Sequence, residues 1–262
     1  MTDAPLIARD VHASYGKLHV LRGITLSVGS AEGAVLLGAN GCGKSTLMRA
    51  LNGLERIERG EIIANGISIP SASRAQLRKA RAGMGYVFQQ FNLVPQLTAY
   101  QNVLFGIMGQ RPLGILNCLN MFASHEDRER ALECLHRVGL SDRAEHRPSE
   151  LSGGQQQRVA IARMLMQSPR IVIADEPIAS LDPKAGREVL ELLWRIVDED
   201  RLSLLCTLHQ LDLAREFGTR LIGMKAGRIA LDCPAADVAR SDLDALYHGQ
   251  VRVDETLERT AA

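Results

Sequence analysis

Gly38-Ala39-Asn40-Gly41-Cys42-Gly43-Lys44-Ser45-Thr46 lies between an apolar run, Ala34-Val35-Leu36-Leu37, and a helix-like run, Leu47-Met48-Arg49-Ala50-Leu51-Asn52. It fits the pattern G-x-x-x-x-G-K-[ST], and the order strand, loop, helix marks it as a phosphate loop rather than a glycine turn that only packs a helix on a strand. Glycines at 38, 41 and 43 let backbone N–H groups turn inward around β- and γ-phosphates, and the following helix aims its positive end at the same anion. Lys44 is expected to neutralise phosphate charge and Ser45 to ligate magnesium.

A second strand-like run, Arg170-Ile171-Val172-Ile173-Ala174, ends in Asp175-Glu176-Pro177. A carboxylate pair after a strand is commonly a helix cap. Beside a phosphate loop it divides labour instead: Asp175 for the magnesium, Glu176 to polarise the attacking water as general base. His209 follows the apolar run Leu202–Leu208, and Gln89 follows Met84-Gly85-Tyr86-Val87-Phe88. These polar groups all fall past the C-terminal ends of predicted parallel strands, where open α/β sheets bind ligands.

Leu151-Ser152-Gly153-Gly154-Gln155 precedes an amphipathic run in which Val159, Ala162 and Met166 recur at helical spacing. Ser152, Gly153 and Gly154 thus open a helix and offer a hydroxyl, N–H groups and a positive dipole end to an anion. A second anion site cannot easily reach the same γ-phosphate within one chain. The expectation is therefore a partner copy that sandwiches the nucleotide.

With both glycine-rich stretches in place, the chain resembles the ABC superfamily over nearly its whole length. That resemblance implies a P-loop ABC cassette of the α/β class: a RecA-like parallel-sheet core, a small antiparallel β layer and an inserted α-helical subdomain. It makes Tyr15 the aromatic that stacks on adenine and Ser180-Leu181-Asp182 the D-loop, with Asp182 at the dimer interface. Gln89 becomes the Q-loop glutamine, contacting magnesium or the lytic water and sensing a membrane partner. His209 becomes the switch histidine on the γ-phosphate. Gly38 to Thr46, together with Ser152 to Gln155, make up the rest of the ATP contacts.

Finer motifs narrow the resemblance. Tyr86–Val94, Asn102-Val103-Leu104, Leu151–Arg163, Asp175–Pro183 and Thr207-Leu208-His209-Gln210 are together similar to the ATP-binding subunits of bacterial phosphonate importers. Asn40 and Cys42 stand where serine is common, and Met164 where alanine is frequent; none of these removes a catalytic group. The function so implied is ATP hydrolysis that energises an importer, for phosphonates or related organophosphorus compounds or phosphite. Its partners are a second copy, integral membrane permease subunits and, indirectly, an extracytoplasmic solute-binding protein. Its place is peripheral, on the cytoplasmic face of the inner membrane. The alternatives are a soluble subunit of a phosphonate-degrading complex and the ATPase of an importer for another small polar solute.

Composition agrees with a globular enzyme. Hydrophobic residues make up 46% and charged residues 23% of 262 positions, enough for a large core. The formal net charge is +1, which gives no basic field for nucleic acid, and none is expected as a partner. Five cysteines, Cys42, Cys118, Cys134, Cys206 and Cys233, lack metal or disulfide spacing and read as reduced thiols. Cys42 is singled out because a helix N-terminus and Lys44 both lower a thiol pKa. Alkylation is expected to inhibit the ATPase and bound ATP to protect it, although serine would fit the same place.

The N-terminus carries no secretory pattern, and Leu104 to Phe122 is too polar and glycine-broken to span a bilayer. Residues 1–250 are read as the cassette, with a helical subdomain at about 91–166 and a polar tail at 251–262. Short alternating segments near Leu6 to Gly33 and Gly60 to Ile69, with the turn Ala64-Asn65-Gly66, predict the antiparallel layer. In the helix predicted over Glu126 to Val138, Leu132, Leu135 and Val138 are assigned to one face, with Arg128, Glu129 and Arg130 outward. The insert from Gln110 to Phe122 is a candidate permease-docking surface; its apolar residues Leu113, Ile115, Leu116, Leu119 and Met121 equally fit simple packing.

Overall fold

The computed structural model describes residues 4–110, 123–239 and 246–247. Two long strands, β1 (Leu6–Tyr15) and β2 (Leu18–Val28), form an antiparallel hairpin. With β4 (Arg59–Ala64) and the short β5 (Ile67–Ser68) they make a four-stranded sheet in the order β2-β1-β4-β5. The β4–β5 turn is Asn65-Gly66, with φ of 49° and 75°. Positive φ at both residues matches the right-handed twist of the strands, as the sequence pattern required.

The larger sheet runs β10-β9-β3-β8-β7-β6. Its members are β3 (Gly33–Leu37), β6 (Met84–Val87), β7 (Ile171–Ala174), β8 (Ser203–Thr207), β9 (Arg220–Lys225) and β10 (Arg228–Pro234). All neighbours are parallel except the β9–β10 hairpin. Every residue of β3, β7 and β8 is buried, because the sheet is covered on both faces. Alternate residues feed two cores. Ala34, Leu36, Ile171, Ile173 and Leu205 pack toward the antiparallel layer and α1 (Lys44–Leu51). Val35, Leu37, Val172, Ala174, Leu204 and Cys206 pack on the opposite side.

That opposite side is helical. The helices are α3 (Ala99–Leu104), α4 (His125–Arg137), α5 (Gly153–Leu165) and α6 (Pro183–Glu199), with α7 (Leu211–Phe217) nearby and α2 (Arg74–Ala82) leading into β6. Their starts are specified locally. Ser73, Thr98 and Ser152 each form a reciprocal capping box with the glutamine three residues on, and Asp182 caps α6 ahead of Pro183. Between β6 and β7, every described regular element is helical.

The register of α4 differs from the sequence expectation. Leu132 is 49% exposed, while Ala131, Cys134, Leu135 and Val138 are buried. The inward set follows the i, i+3, i+4, i+7 rule, which places Leu132 about 100° off the buried stripe. Residues 111–122, which hold most of the candidate docking insert and Cys118, lie outside the described residues, as does the 251–262 tail. Gln110 is described; its amide donates to Ala82 O at 3.2 Å and Gln167 O at 2.6 Å. No helix among the described residues is long and apolar enough to cross a membrane.

Candidate nucleotide site

Strand order places the candidate residues. Because β3, β8, β7 and β6 are adjacent and parallel, the segments leaving their C-terminal ends line one edge in the order phosphate loop, His209, Asp175-Glu176, Gln89. The loop itself needs glycine at two points. Gly38 has φ of 149°, and a Cβ there would stand 2.4 Å from Met224 O and 2.7 Å from Cys42 Sγ. Gly43, with φ of 109°, forms the N-cap of α1 in a left-handed conformation that a side chain would strain. Lys44 is buried, and its Nζ donates to Gly38 O at 2.8 Å and Ala39 O at 3.3 Å, so the ammonium lies across the loop that it follows.

A cavity of about 250 Å³ opens over this loop, lined by Tyr15, Val20, Asn40, Gly41, Gly43, Lys44, Ser45, Thr46 and Glu176. It brings together the predicted adenine platform, the phosphate loop and the predicted base. Tyr15, 47% exposed at the end of β1, donates its hydroxyl to Glu55 at 2.6 Å.

The two carboxylates have different surroundings. Asp175 accepts from Thr207 Oγ1 at 3.1 Å and Ser45 Oγ at 3.4 Å on Oδ1, and from the Tyr86 hydroxyl at 3.5 Å on Oδ2. Burial raises its pKa, and the charge of Glu176 adds to the rise; the Thr207 and Ser45 hydrogen bonds and Arg49 oppose it. Burial also holds the Tyr86 phenol protonated, so it serves as a donor. Glu176 adopts φ of 49°, and its N–H donates to Thr207 Oγ1 at 2.6 Å. His209 Nε2 lies 2.5 Å from Glu176 Oε1.

Hard oxygen donors at Ser45 and at Asp175, whose ionised form burial disfavours while no cation is bound, fit a divalent cation. A bound cation would restore that ionisation. The loop's N-terminal helix end and Lys44 fit the polyphosphate in the same way.

Other predicted residues lie outside the cavity lining. Ser152 Oγ accepts from the Gln155 N–H at 3.3 Å, and Gln155 Oε1 accepts from the Ser152 N–H at 2.9 Å, so both side chains cap α5. Asp182 accepts from the Ala185 N–H at 3.0 Å as the cap of α6. Gln89 is exposed just past β6.

The family model described as "ABC transporter" matches residues 21–179. The chain belongs to the ABC transporter family. Relatives of this cassette include the phosphate-import ATP-binding protein PhnC of Mycolicibacterium smegmatis, 47% identical and covering 94% of this chain and 92% of that protein. The hypophosphite import ATP-binding protein HtxD of Stutzerimonas stutzeri is 46% identical, covering 94% and 72%. The phosphonates import ATP-binding protein PhnC of Nocardia farcinica is 45% identical, covering 92% and 90%. Among solved structures, the dimeric post-hydrolysis ATP-binding cassette MJ0796 bound to ADP and Pi matches with a TM-score of 0.74 and 34% identity, covering 88% of this chain and 98% of that one. The cbiO1 cassette of Clostridium perfringens, part of the transporter complex cbiONQ, matches with a TM-score of 0.79 and 30% identity, covering 95% and 96%.

Two features of this cassette differ from, or were missed by, the sequence reading. Cys42 is not an activated thiol. It is 3% exposed, and burial raises its pKa against the lowering effect of Lys44. The dipole and charge argument omitted desolvation, which opposes any anion in a packed loop. Thr207 was given no role, yet it links the Glu176 backbone to the Asp175 carboxylate. The available signal was a hydroxyl ending an otherwise apolar strand two residues before His209.

Proposed function

We propose that this chain is the ATP-hydrolysing subunit of a bacterial importer for phosphonates or related phosphorus oxyanions. The observation that carries the reading is the joining of Tyr15, the phosphate loop and Glu176 around one cavity, with Asp175 held against Ser45. The substrate class rests on relatives at 45–47% identity whose names specify import of phosphate, hypophosphite and phosphonates. All three solutes are phosphorus oxyanions, so selectivity among them belongs to other subunits.

In this reading Tyr15 stacks on adenine, and the N–H groups of residues 38–46 with Lys44 bind the β- and γ-phosphates. Ser45 and Asp175, with Gln89 approaching from β6, hold Mg2+, which when bound neutralises charge on the phosphate oxygens. Glu176 accepts a proton from the attacking water, and His209 orients that carboxylate and meets the γ-phosphate. Ser152, Gly153, Gly154 and Gln155 of a second copy close over the nucleotide, with Asp182 at the shared interface. Support for the pairing comes from the 34%-identical MJ0796 cassette, which is dimeric. The chain works at the cytoplasmic face of the inner membrane, docked on permease subunits that receive solute from an extracytoplasmic binding protein.

The test is growth and radiolabel uptake by a deletion strain with a phosphonate as sole phosphorus source, complemented by wild type or Glu176→Gln. Restoration by wild type alone supports the reading. Uptake that never depended on the chain removes the phosphonate assignment, and co-purification with degrading enzymes instead of a permease would replace it.

A further inference from the structure

Gln157 occupies the first turns of α5, is fully buried, and lies outside every role assigned so far. Its Nε2 donates to Pro177 O at 2.7 Å and reaches Phe88 O at 3.4 Å. Pro177 follows Glu176 directly, and Phe88 precedes Gln89. One amide therefore ties the backbone beside both groups to a single helix.

Neighbouring contacts make the same junction rigid. A Cβ at Gly153 would stand 3.1 Å from Leu181 and 3.7 Å from Phe91, so the start of α5 is wedged between the turn after Glu176 and the segment after Gln89. Arg163, two turns further along, donates to Phe91 O at 3.0 Å and Asn92 O at 2.6 Å. The segment containing Gln89 is thus held at both ends by α5.

Packing alone does not explain an amide at position 157. Its Oε1 is buried without a hydrogen-bond partner, an unfavourable arrangement that methionine or leucine would avoid. What the amide adds is the donor to Pro177 O.

We propose that Gln157 is a positioning residue for hydrolysis, a buried donor that fixes Glu176 and Gln89 relative to the helix whose N-terminus carries Ser152–Gln155. Displacement of α5 by a closing partner copy then moves the base rather than leaving it behind. The inference rests on Glu176 being the base.

The experiment compares steady-state ATPase of the full-length chain assembled with its permease for wild type, Gln157→Met, Gln157→Glu and Glu176→Gln, each with its Tm. Gln157→Met should lower kcat by about tenfold or more with KM for ATP within about twofold, since small misplacements far from the chemistry cost rates of that order. Its Tm should change little, because loss of the donor to Pro177 O is offset by removal of the unpartnered Oε1. In Gln157→Glu, burial raises the carboxyl pKa, so at low pH the neutral acid can donate to Pro177 O and at high pH the anion cannot. Measured well below the Tm at each pH, so that unfolding does not contribute, activity relative to wild type should therefore fall between about pH 6 and pH 8. Should Gln157→Met fail to fold, that profile carries the test. A kcat within twofold of wild type in Gln157→Met, or a flat relative pH profile in Gln157→Glu, overturns the proposal. Near-normal turnover in Glu176→Gln overturns the base assignment instead, and the two failures are read from different variants.

Discussion

Asp175 and Glu176 are adjacent carboxylates with separate proposed tasks, and each task predicts its own response to amidation. Glu176→Gln keeps the hydrogen-bonding shape but removes the proton acceptor, so turnover should drop by roughly a hundredfold or more in a steady-state phosphate-release assay. Asp175 behaves differently because burial raises its pKa from the ordinary 3.8. A raised folded-state pKa means that the folded chain binds its proton more tightly than the unfolded chain. Stability is therefore lost as pH rises from 3.8 through the folded pKa, the loss is complete above that point, and no difference remains below 3.8. Asp175→Asn should raise the ligand-free Tm at neutral pH by roughly 2–4 °C, after allowance for partial solvent exposure, while abolishing Mg2+-dependent hydrolysis. Calorimetry across pH should show this gain vanish as acid protonates the wild-type carboxyl. The buried Cys42 gives a third expectation. Alkylation followed by peptide mass mapping should modify the half-buried Cys233 well before Cys42, Cys134 or Cys206, reversing the order expected from charge and dipole alone.

Helix α3 shows how one buried polar residue can order a loop. Asn102 is fully buried; Oδ1 accepts from the Val94 N–H at 2.8 Å, and Nδ2 donates to the carbonyls of Val94, Leu97 and Thr98. Every atom of its amide is used, and the chain from 94 to 98 is folded back onto the helix that follows. Asn102→Ala strips partners from several backbone groups at once, so urea unfolding should show a loss of on the order of 2–4 kcal/mol. Capping residues were legible in the sequence because the reciprocal box needs only positions three apart, as at Ser152 and Gln155. The face of α4 was less legible. Leu132 is hydrophobic, but exposure is set by where α3 and α5 pack, and Ala131 and Cys134 fill that side instead.

For the complete fold, the glycine-rich segment Ser152–Gln155 is the informative absence from the cavity over the phosphate loop. Ser152 to Gln155 cap α5 and lie outside the lining of the cavity over the phosphate loop, which agrees with the proposal that they meet the nucleotide from another copy. On size exclusion, Glu176→Gln with MgATP should elute as a dimer. Adding Gly154→Asp should restore the monomer while leaving fluorescent ATP-analogue binding intact, because the phosphate loop of each chain is untouched and the added carboxylate repels an anion at the start of α5. A dimer that survives Gly154→Asp would place the interface elsewhere.

The sequence was sufficient for every feature that depends on residues close together in the chain. The phosphate loop, the carboxylate pair, the capping boxes and the two-residue hairpin turn each follow from spacing and residue type, because local sterics and hydrogen bonds enforce them over a few residues. The apolar runs that end in polar residues likewise announced parallel strands with ligand groups at their C-terminal ends. Long-range assembly settled the rest. Pairing of β3 with β8 and of β8 with β7 brings Thr207 between Asp175 and Glu176, and inclusion in the core beneath the antiparallel layer buries the Cys42 thiol. Gln157 reaches Pro177 only because α5 crosses the strand ends. Such contacts join residues 20 to 130 positions apart, and which of them form is decided by how whole elements share one core.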